Sequence, residues 1–246
     1  MSETTPPKFS VSRGRLTKPR RCLLYGPHGI GKSTCASDAL VLDLEGGSSD
    51  IDLARIDLHA ASYADFIDCL AYLFTVDVEQ PTVAIDTIDW LDGLIEQEVC
   101  KANKVANLAD IDYGKGNGKK VSYWEYILTG LDQLRERKGK NILLLAHAKL
   151  EKVSLPDVPS YQRHSPKVDN PGSAIIQEWC DEVLSYRYRV ATTSENLGFN
   201  KERKLAVNTT ERYIQTQETP SALAKNRLSL PLELTSFDTY KQFLSK

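Results

Sequence analysis

The chain has 246 residues, of which 41% are hydrophobic and 26% charged, and its net charge is −2. This composition provides apolar side chains for one sizeable core, and the near-neutral charge excludes a polycation that binds nucleic acid over its whole surface. No apolar run approaches the roughly 20 residues of a membrane span, and the first residues lack the apolar stretch of a signal peptide. The five cysteines are scattered without a CxxC pair, which favours reduced thiols in a cytoplasmic protein.

The amino-terminal segment 1–19 is polar and contains two adjacent prolines, so it predicts a flexible basic arm ahead of a single domain over 20–246. Six basic residues and no acidic one lie between its eighth residue and the start of the first strand: Lys8, Arg13, Arg15, Lys18, Arg20 and Arg21. Such a run is either a solvated tail or an arm that docks on phosphates or on a neighbouring molecule.

Short apolar runs then alternate with segments of helical periodicity. The predicted strands are 21–25, 41–45, 54–58, 82–86 and 141–146. The predicted helices are 32–38, 63–74, 88–102, 121–137, 173–180 and 237–244. The two predicted irregular segments are 103–120 and 148–171, and further strands are predicted at 182–190, 204–208 and 212–216. This order predicts an α/β fold, with a mostly parallel central sheet flanked by helices and a carboxyl-terminal antiparallel extension.

Residues 26–33 fit the pattern GxxxxGK[ST] of a phosphate-binding loop (P-loop) without deviation. The required context is also present, because a predicted strand precedes the loop and a predicted helix follows it. Glycines let backbone N–H groups wrap around an anion, the helix start adds its positive dipole end, Lys32 is expected to reach and activate the β- and γ-phosphates, and Ser33 is expected to bind Mg²⁺. The predicted ATP site consists of Gly26, Pro27, His28, Gly29, Ile30, Gly31, Lys32, Ser33 and Thr34.

Three polar side chains end predicted strands on the side of the sheet where ligands bind. Asp86 is expected to hold the Mg²⁺ shell, in preference to Asp89, which is placed to cap a helix. Glu45 is the candidate base that orients a water for attack, although Asp43 points to the same face and strand alternation does not separate the two. His147 is either a sensor of the γ-phosphate or a histidine that is satisfied locally.

Five segments, taken in order, resemble the phage-type members of the RecA-like ATPases, small nucleotide-binding proteins associated with phage recombination and single-strand annealing. They are GPHGIGKST (26–34), LDLEGG (42–47), AIDTIDWL (84–91), LLLAHAK (143–149) and AKNRLSLP (224–231). The resemblance covers most of the chain. It implies a RecA-like P-loop fold, the cofactors ATP and Mg²⁺, and a place in phage-type DNA recombination, repair or replication on single-stranded DNA.

The same resemblance implies roles for individual residues. Glu45 matches the catalytic glutamate, Asp86 the Mg²⁺-associated aspartate, and His147 the polar sensor ahead of a DNA-binding loop. Lys225 and Arg227 resemble the Lys-x-Arg pair that RecA-fold hexameric helicases insert into a neighbour's ATP site, where the pair would stabilise charge on the transferring phosphoryl group. A head-to-tail ring or filament of identical chains follows from that role, whereas solvated charges at a sheet edge are the simpler alternative.

Two predicted irregular segments are candidates for contact with single-stranded DNA, because loops in these positions hold DNA in RecA-like proteins. One spans 101–120 and the other 149–167, and each carries four or more basic residues. Flexible basic loops with a few rings suit contact with a nucleic-acid backbone. The positive excess is small in both, so ordinary solvated loops remain the alternative.

The leading hypothesis is therefore a cytoplasmic ATPase, in the host cytoplasm if the chain is phage-encoded. Its expected partners are single-stranded DNA, further copies of itself and other phage recombination or replication proteins, and no membrane. Two alternatives stay open: a P-loop kinase of nucleotides or small molecules, and a module that uses ATP only to order an assembly. A GTPase is disfavoured because no NKxD-like segment is present.

Overall fold

A computed structural model describes residues 11, 13, 14, 17–111, 115–196 and 202–244, with the backbone alone for 192–196 and 202–208. The strands are Arg21–Gly26 (β1), Leu40–Asp43 (β2), Ala54–Asp57 (β3), Thr82–Asp86 (β4), Asn141–Leu155 (β5), Val158–Pro166 (β6), Glu182–Asn196 (β7), Glu202–Gln215 (β8), Lys225–Asn226 (β9) and Glu233–Leu234 (β10). The helices are Lys32–Cys35 (α1), Tyr63–Thr75 (α2), Ile88–Asn103 (α3), Gly116–Lys138 (α4), Asn170–Trp179 (α5) and Phe237–Leu244 (α6).

The strands form one sheet in the order β10-β8-β7-β1-β5-β4-β2-β3. Neighbours from β7 to β3 pair in parallel. Strands β8 and β10 extend the sheet antiparallel at one end, and β9 pairs antiparallel with the start of β7. The predicted fold class, a mostly parallel sheet with a carboxyl-terminal antiparallel extension, is confirmed.

Helices cover both faces of the sheet, which explains why its central strands are unbroken apolar runs. Side chains alternate along β1: Leu23 and Tyr25 pack with helices α2 to α5, whereas Cys22 and Leu24 pack with α6 on the other face. Each face buries its own cluster of apolar residues. The parallel strands lie between these two clusters and run in the same direction. We call the side of the sheet where they end the carboxyl edge and the side where they begin the amino edge.

Two predicted boundaries near the P-loop differ from the structure. Helix α1 is one turn long, where 32–38 was predicted, and β2 ends at Asp43, where 45 was predicted. The buried Asp43 carboxylate accepts hydrogen bonds from the backbone N–H groups of Gly46, at 2.7 Å, and Ser48, at 3.2 Å. These bonds turn the chain out of the strand, so Glu45 lies in the connection that follows β2.

The prediction that 148–171 is irregular was wrong. Strand β5 continues beyond the sheet to Leu155, and β6 returns antiparallel beside it. The alternation of polar and apolar residues after His147 was the missed signal. The prolines that suggested irregular structure lie at the turn after β5, within β6 and at the start of α5. Pro159 lies where the β5–β6 pairing shifts its register, and a bulge of this kind tolerates proline.

The second predicted irregular segment, 103–120, was too long. Its middle forms the 3₁₀ turn Leu108–Asp110, and α4 begins at Gly116, five residues before the predicted start. Gly116 packs so closely that an added Cβ would lie 2.5 Å from the Leu108 carbonyl oxygen. The last lysines of this segment are therefore helical.

The predicted amino-terminal arm falls mostly outside the described residues, and it stays a prediction together with the single domain over 20–246. Arg20 and Arg21, the last two residues of the basic run that begins at Lys8, belong to the folded domain. Arg20 bonds the Glu182 carboxylate, and Arg21 donates to Asp181 at 2.9 Å. Both are thus paired at the amino edge and are not part of a docking arm.

Candidate nucleotide-binding site

The P-loop leaves β1 at the carboxyl edge, in the middle of the sheet. A Cβ on Gly26 would lie 2.5 Å from the Tyr186 carbonyl oxygen on β7, so the neighbouring strand accepts only glycine here. Gly31, the last residue before α1, has φ of +102°, a left-handed conformation that favours glycine. The loop is thus shaped by glycine at both ends. Because α1 is only one turn long, its helix dipole adds little positive potential to the loop.

Lys32 is buried, and its ammonium bends back over the loop. It donates hydrogen bonds to the carbonyl oxygens of Gly26, at 3.2 Å, and Pro27, at 3.0 Å, and forms no ion pair with a described carboxylate. Burial lowers the pKa of Lys32, and the nearby Asp86 and Glu45 carboxylates oppose that shift. A buried cation whose hydrogen-bond partners are neutral carbonyls is a site in which a phosphate is the favoured counter-ion.

Ser33 and Asp86 meet beside the lysine. The Ser33 hydroxyl donates to Asp86 Oδ2 at 2.5 Å, and the Asp86–Thr87 peptide is cis. Burial raises the pKa of Asp86 to about 6, the nearby Glu45 and Asp43 carboxylates add to the shift, and the Ser33 hydrogen bond opposes it. One hydroxyl and one carboxylate, together with phosphate oxygens, form a donor set of hard oxygens that fits Mg²⁺.

The structure separates the two acids that strand alternation left equivalent. Asp43 is committed to the turn after β2, where it also accepts a hydrogen bond from the Ser48 hydroxyl. Glu45 is partly exposed and lines a cavity of about 310 Å³ together with Lys32, Asp86 and the P-loop. Glu45 is therefore the acid that faces the space above the loop.

His147 lies at the carboxyl edge between Asp89, His28 and Glu45. Asp89 accepts from the His147 backbone N–H at 3.0 Å and bonds its ring Nδ1 at 2.8 Å. On its other side the ring stacks on His28 of the P-loop, with centroids 3.7 Å apart, and Nε2 lies 3.7 Å from Glu45 Oε1. Burial and the neighbouring His147 and Lys32 lower the pKa of His28. Asp89 is thus the partner of His147, a role that the sequence did not reveal.

Two cavities meet at His28, Glu45 and His147. The 310 Å³ cavity contains the P-loop, and a second, of about 550 Å³, lies between the end of β3, the start of α3 and Trp90. His28, Glu45 and His147 line both. The three side chains therefore form the partition between the phosphate-binding space and a larger adjoining chamber.

Arg212 is a further residue that the sequence analysis did not single out. It comes from β8, and its Nη1 atom would lie 3.1 Å from a Cβ added to Gly31. The guanidinium lies 5.7 Å from the centre of the Tyr188 ring and forms no ion pair among the described side chains. Only the long-range pairing of β7 with β8 brings this positive charge beside the P-loop.

Lys225 and Arg227 lie at the amino edge, at the opposite end of β1 and β7 from the P-loop of the same chain. Lys225 pairs with Val183 at the start of β7, and its ammonium donates to three carbonyl oxygens at the end of α5, at 2.7 to 2.9 Å. Arg227 forms an ion pair with Asp181 at 3.3 Å. Neither residue reaches the ATP site of its own chain, and their assignment to a neighbour's site stays a prediction.

The basic residues of the two predicted DNA-binding segments are partly engaged. Lys120 is buried and bonds Asp92 at 2.7 Å and Asp169 at 2.8 Å. Lys149 donates to the Val168 carbonyl oxygen at 2.6 Å, and Arg163 pairs with two glutamates, Glu151 and Glu218. Lys101 pairs with Glu98 at 3.6 Å on the surface of α3. Exposed lysines such as Lys104 and Lys152 supply the positive surface of these segments.

The parallel sheet, the P-loop at its carboxyl edge and the Ser33–Asp86 pair beside it define a P-loop nucleotide-binding protein. Residues 18–228 match the protein family AAA_24, described as an AAA domain, and the chain belongs to that family. No curated protein matches the chain. The crystal structure of the RadB recombinase is similar over 69% of this chain and 76% of that one, with 14% identity and a TM-score of 0.41. No described helix is long and apolar enough to span a membrane.

Proposed function

We propose that the chain is an Mg²⁺-dependent ATPase. One observation supports this most directly: Lys32, Ser33, Asp86 and Glu45 come from three different segments and converge on one cavity at the end of the P-loop. A buried lysine, a hydroxyl–carboxylate pair and a partly exposed acid are the groups that phosphoryl transfer to water requires. The family membership agrees with this chemistry.

Each residue has a distinct task in this proposal. The loop amides and Lys32 hold the β- and γ-phosphates, and Ser33 and Asp86 hold Mg²⁺, which neutralises phosphate charge when bound. Glu45 orients the attacking water and accepts its proton. Arg212 adds positive charge on the β8 side of the loop. His147, fixed by Asp89, senses whether the γ-phosphate is present.

The biological setting is the second part of the proposal. We infer from the resemblance to phage-type RecA-like ATPases that the chain assembles head to tail and acts on single-stranded DNA in recombination, repair or replication. Lys225 and Arg227 would then complete the site of the next subunit. The β5–β6 hairpin supports this setting, since it leaves the sheet directly after His147 and links the phosphate end of the site to a protruding surface.

The 550 Å³ chamber supports one competing function. It adjoins the expected position of the γ-phosphate through the partition of His28, Glu45 and His147, and a chamber of that volume can hold a small acceptor molecule. A kinase of a nucleotide or small molecule would use it to position the acceptor hydroxyl. Such an enzyme turns over ATP slowly until the acceptor is supplied.

Release of phosphate from ATP, measured with and without single-stranded DNA, tests the proposal. We expect hydrolysis that depends on Mg²⁺ and protein concentration and rises with DNA. Glu45→Gln is expected to retain ATP binding and to lose about 100-fold in kcat, because the amide accepts no proton. Equal rates for wild type and Glu45→Gln would contradict the role of this acid. ATP binding without phosphate release would indicate a module that only assembles.

A further inference from the structure

We propose that His28, Glu45 and His147 form a binding site for a transition-metal ion of the Zn²⁺ class, distinct from the Mg²⁺ site of Ser33 and Asp86. The three residues come from the P-loop, the connection after β2 and the middle of β5. One donor atom from each lies within 4.8 Å of the other two. Three separate segments thus bring two imidazoles and one carboxylate to one point.

The orientation of His147 supports metal binding most strongly. Asp89 accepts hydrogen bonds from its backbone N–H and from ring Nδ1, which assigns the proton of a neutral ring to Nδ1 and leaves a lone pair on Nε2. A carboxylate that bonds the far nitrogen of a histidine is the usual support of a metal-binding imidazole, because it fixes the tautomer and the direction of the ring.

A second electron-pair donor lies near Nε2 of His147. Glu45 Oε1 is 3.7 Å away, a distance too long for a hydrogen bond. Zinc bonds of about 2.0–2.1 Å place two donors of a tetrahedral site about 3.3–3.5 Å apart. A cation in the gap would therefore bind both atoms after a small contraction.

His28 supplies the third donor. Its side chain is exposed, while its ring stacks on His147 at 26° between the planes. A rotation of this side chain that brings its donor atom from within 4.8 Å to about 3.3–3.5 Å of the other two completes the triad. Two nitrogens and one oxygen favour zinc, nickel or copper over magnesium, which prefers oxygen alone.

An occupied site would keep one coordination position open, because three protein ligands leave the fourth corner of a tetrahedron to water. It would also engage the lone pair that Glu45 needs as a base. Zinc is therefore expected to inhibit hydrolysis of Mg-ATP, a corollary that depends on the proposed ATPase. Binding of the metal itself does not depend on that function, so the two can fail separately.

The test uses tag-free full-length protein without nucleotide, with Co²⁺ as the spectroscopic probe and Zn²⁺ in calorimetry. We expect one site per chain, visible Co²⁺ absorption typical of nitrogen and oxygen ligands, and displacement of Co²⁺ by Zn²⁺. His28→Asn and Glu45→Gln should each weaken Zn²⁺ binding at least tenfold. Asp89→Asn should weaken it about 10- to 100-fold, as loss of a supporting carboxylate does.

His59→Asn is the matched control, because His59 lines the same 550 Å³ chamber but is not one of the three ligands. It should leave Zn²⁺ affinity unchanged. His28 is exposed in a loop, so its replacement should not impair folding, and far-ultraviolet circular dichroism checks this. An unchanged affinity in His28→Asn, an equal loss in His59→Asn, or a Co²⁺ spectrum with thiolate bands would overturn the proposal.

Discussion

The two edges of the parallel sheet are both rich in charged residues, yet they differ in how those charges are paired. At the amino edge, Glu182 is completely buried and bonds both Arg20 and the Tyr240 hydroxyl, and Asp181 bonds Arg21. Every one of these groups has a partner of suitable charge or polarity. This edge holds the protein together.

At the carboxyl edge, the charged groups around the P-loop lack such partners. Lys32 has only carbonyl partners, Asp86 shares one hydroxyl, and the Glu45 carboxylate faces the 310 Å³ cavity. A cavity of about 240 Å³ also lies at the amino edge, beneath α6. The charged side chains that line it, Arg20, Asp38 and Lys241, all form ion pairs. The comparison teaches that buried charge marks a binding site when its partners are missing, and a structural network when they are present.

The sharpest test of this comparison is Lys32→Ala. We expect at least a 100-fold loss of Mg-ATP affinity or of kcat/KM, because the phosphates lose their buried cation. The free energy of unfolding should stay the same or rise, since the variant no longer buries a cation without a counter-ion. Calorimetric titration and urea unfolding measure the two quantities. Lys101→Ala, which removes an exposed lysine, is the control and should change neither.

The converse test at the amino edge is Arg20→Met. Removing this partner leaves the buried Glu182 carboxylate with the Tyr240 hydroxyl alone, and we expect the free energy of unfolding to fall by about 3 kcal/mol at pH 7. ATP affinity should be unchanged. Arg189→Met, at an exposed pair with Glu211 and Glu233, is the control. If Arg20→Met lost ATP binding while its free energy of unfolding stayed at the wild-type value, the amino edge would not be a purely structural network.

The pH dependence of the free energy of unfolding of Arg20→Met tests the role of the Glu182 carboxylate further. Burial already raises the pKa of Glu182, against the pull of Arg20, and the variant should raise it more. A carboxyl group with a higher pKa in the folded state binds more protons folded than unfolded, so stability increases as pH falls. The defect of Arg20→Met should therefore shrink between pH 7 and the ordinary carboxyl range. A defect that grows on acidification would contradict this assignment.

A smaller effect is expected at Lys225, whose ammonium satisfies three carbonyl oxygens at the end of α5. Lys225→Met should lower the free energy of unfolding by about 1–2 kcal/mol, the cost of leaving carbonyl groups without donors. Thermal unfolding of wild type and variant measures this. If hydrolysis falls far more than stability at this position, the lysine acts in a neighbour's site as well.

Arg227→Ala should have the smallest effect on stability, about 0.5 kcal/mol or less, because the Asp181 pair is half-exposed and Asp181 keeps Arg21. A large loss of hydrolysis would then indicate a role between subunits. Mixing Lys32→Ala with Arg227→Ala chains tests this directly: some activity should return, since shared interfaces can combine one intact loop with one intact arginine. No recovery at any ratio would count against sharing.

The P-loop between a strand and a helix, and the position of Asp86 at the end of β4, could be predicted because local spacing encodes them. The role of Asp86 in holding Mg²⁺ stays a prediction. Strand alternation could not separate Asp43 from Glu45, so Glu45 was preferred only for its position nearer the ligand end. The hydrogen bonds that commit Asp43 to a turn come from Gly46 and Ser48. Pairing between distant segments was also hidden. The stack of His28 on His147 therefore emerged only from the fold, as did the position of Arg212.

Errors arose where composition suggested irregular structure. Prolines obscured the alternating pattern of β5 and β6, although these prolines lie at positions that tolerate them. Lys120 was grouped with exposed loop lysines, yet it is buried and pairs with Asp92 of α3 and with Asp169, which precedes α5. In both cases the structure depends on contacts with distant segments, which local sequence propensity does not encode.

Strand β5 has a mechanical consequence, because it runs without interruption from the sheet core through His147 to Leu155. A lever arm of about 26 Å separates the histidine from the tip at ordinary strand rise. Tilting that arm by about 5° displaces its end by about 2 Å. If His147 senses the terminal phosphate as proposed, a small tilt of β5 at His147 would be amplified at the tip of the hairpin by the length of the strand.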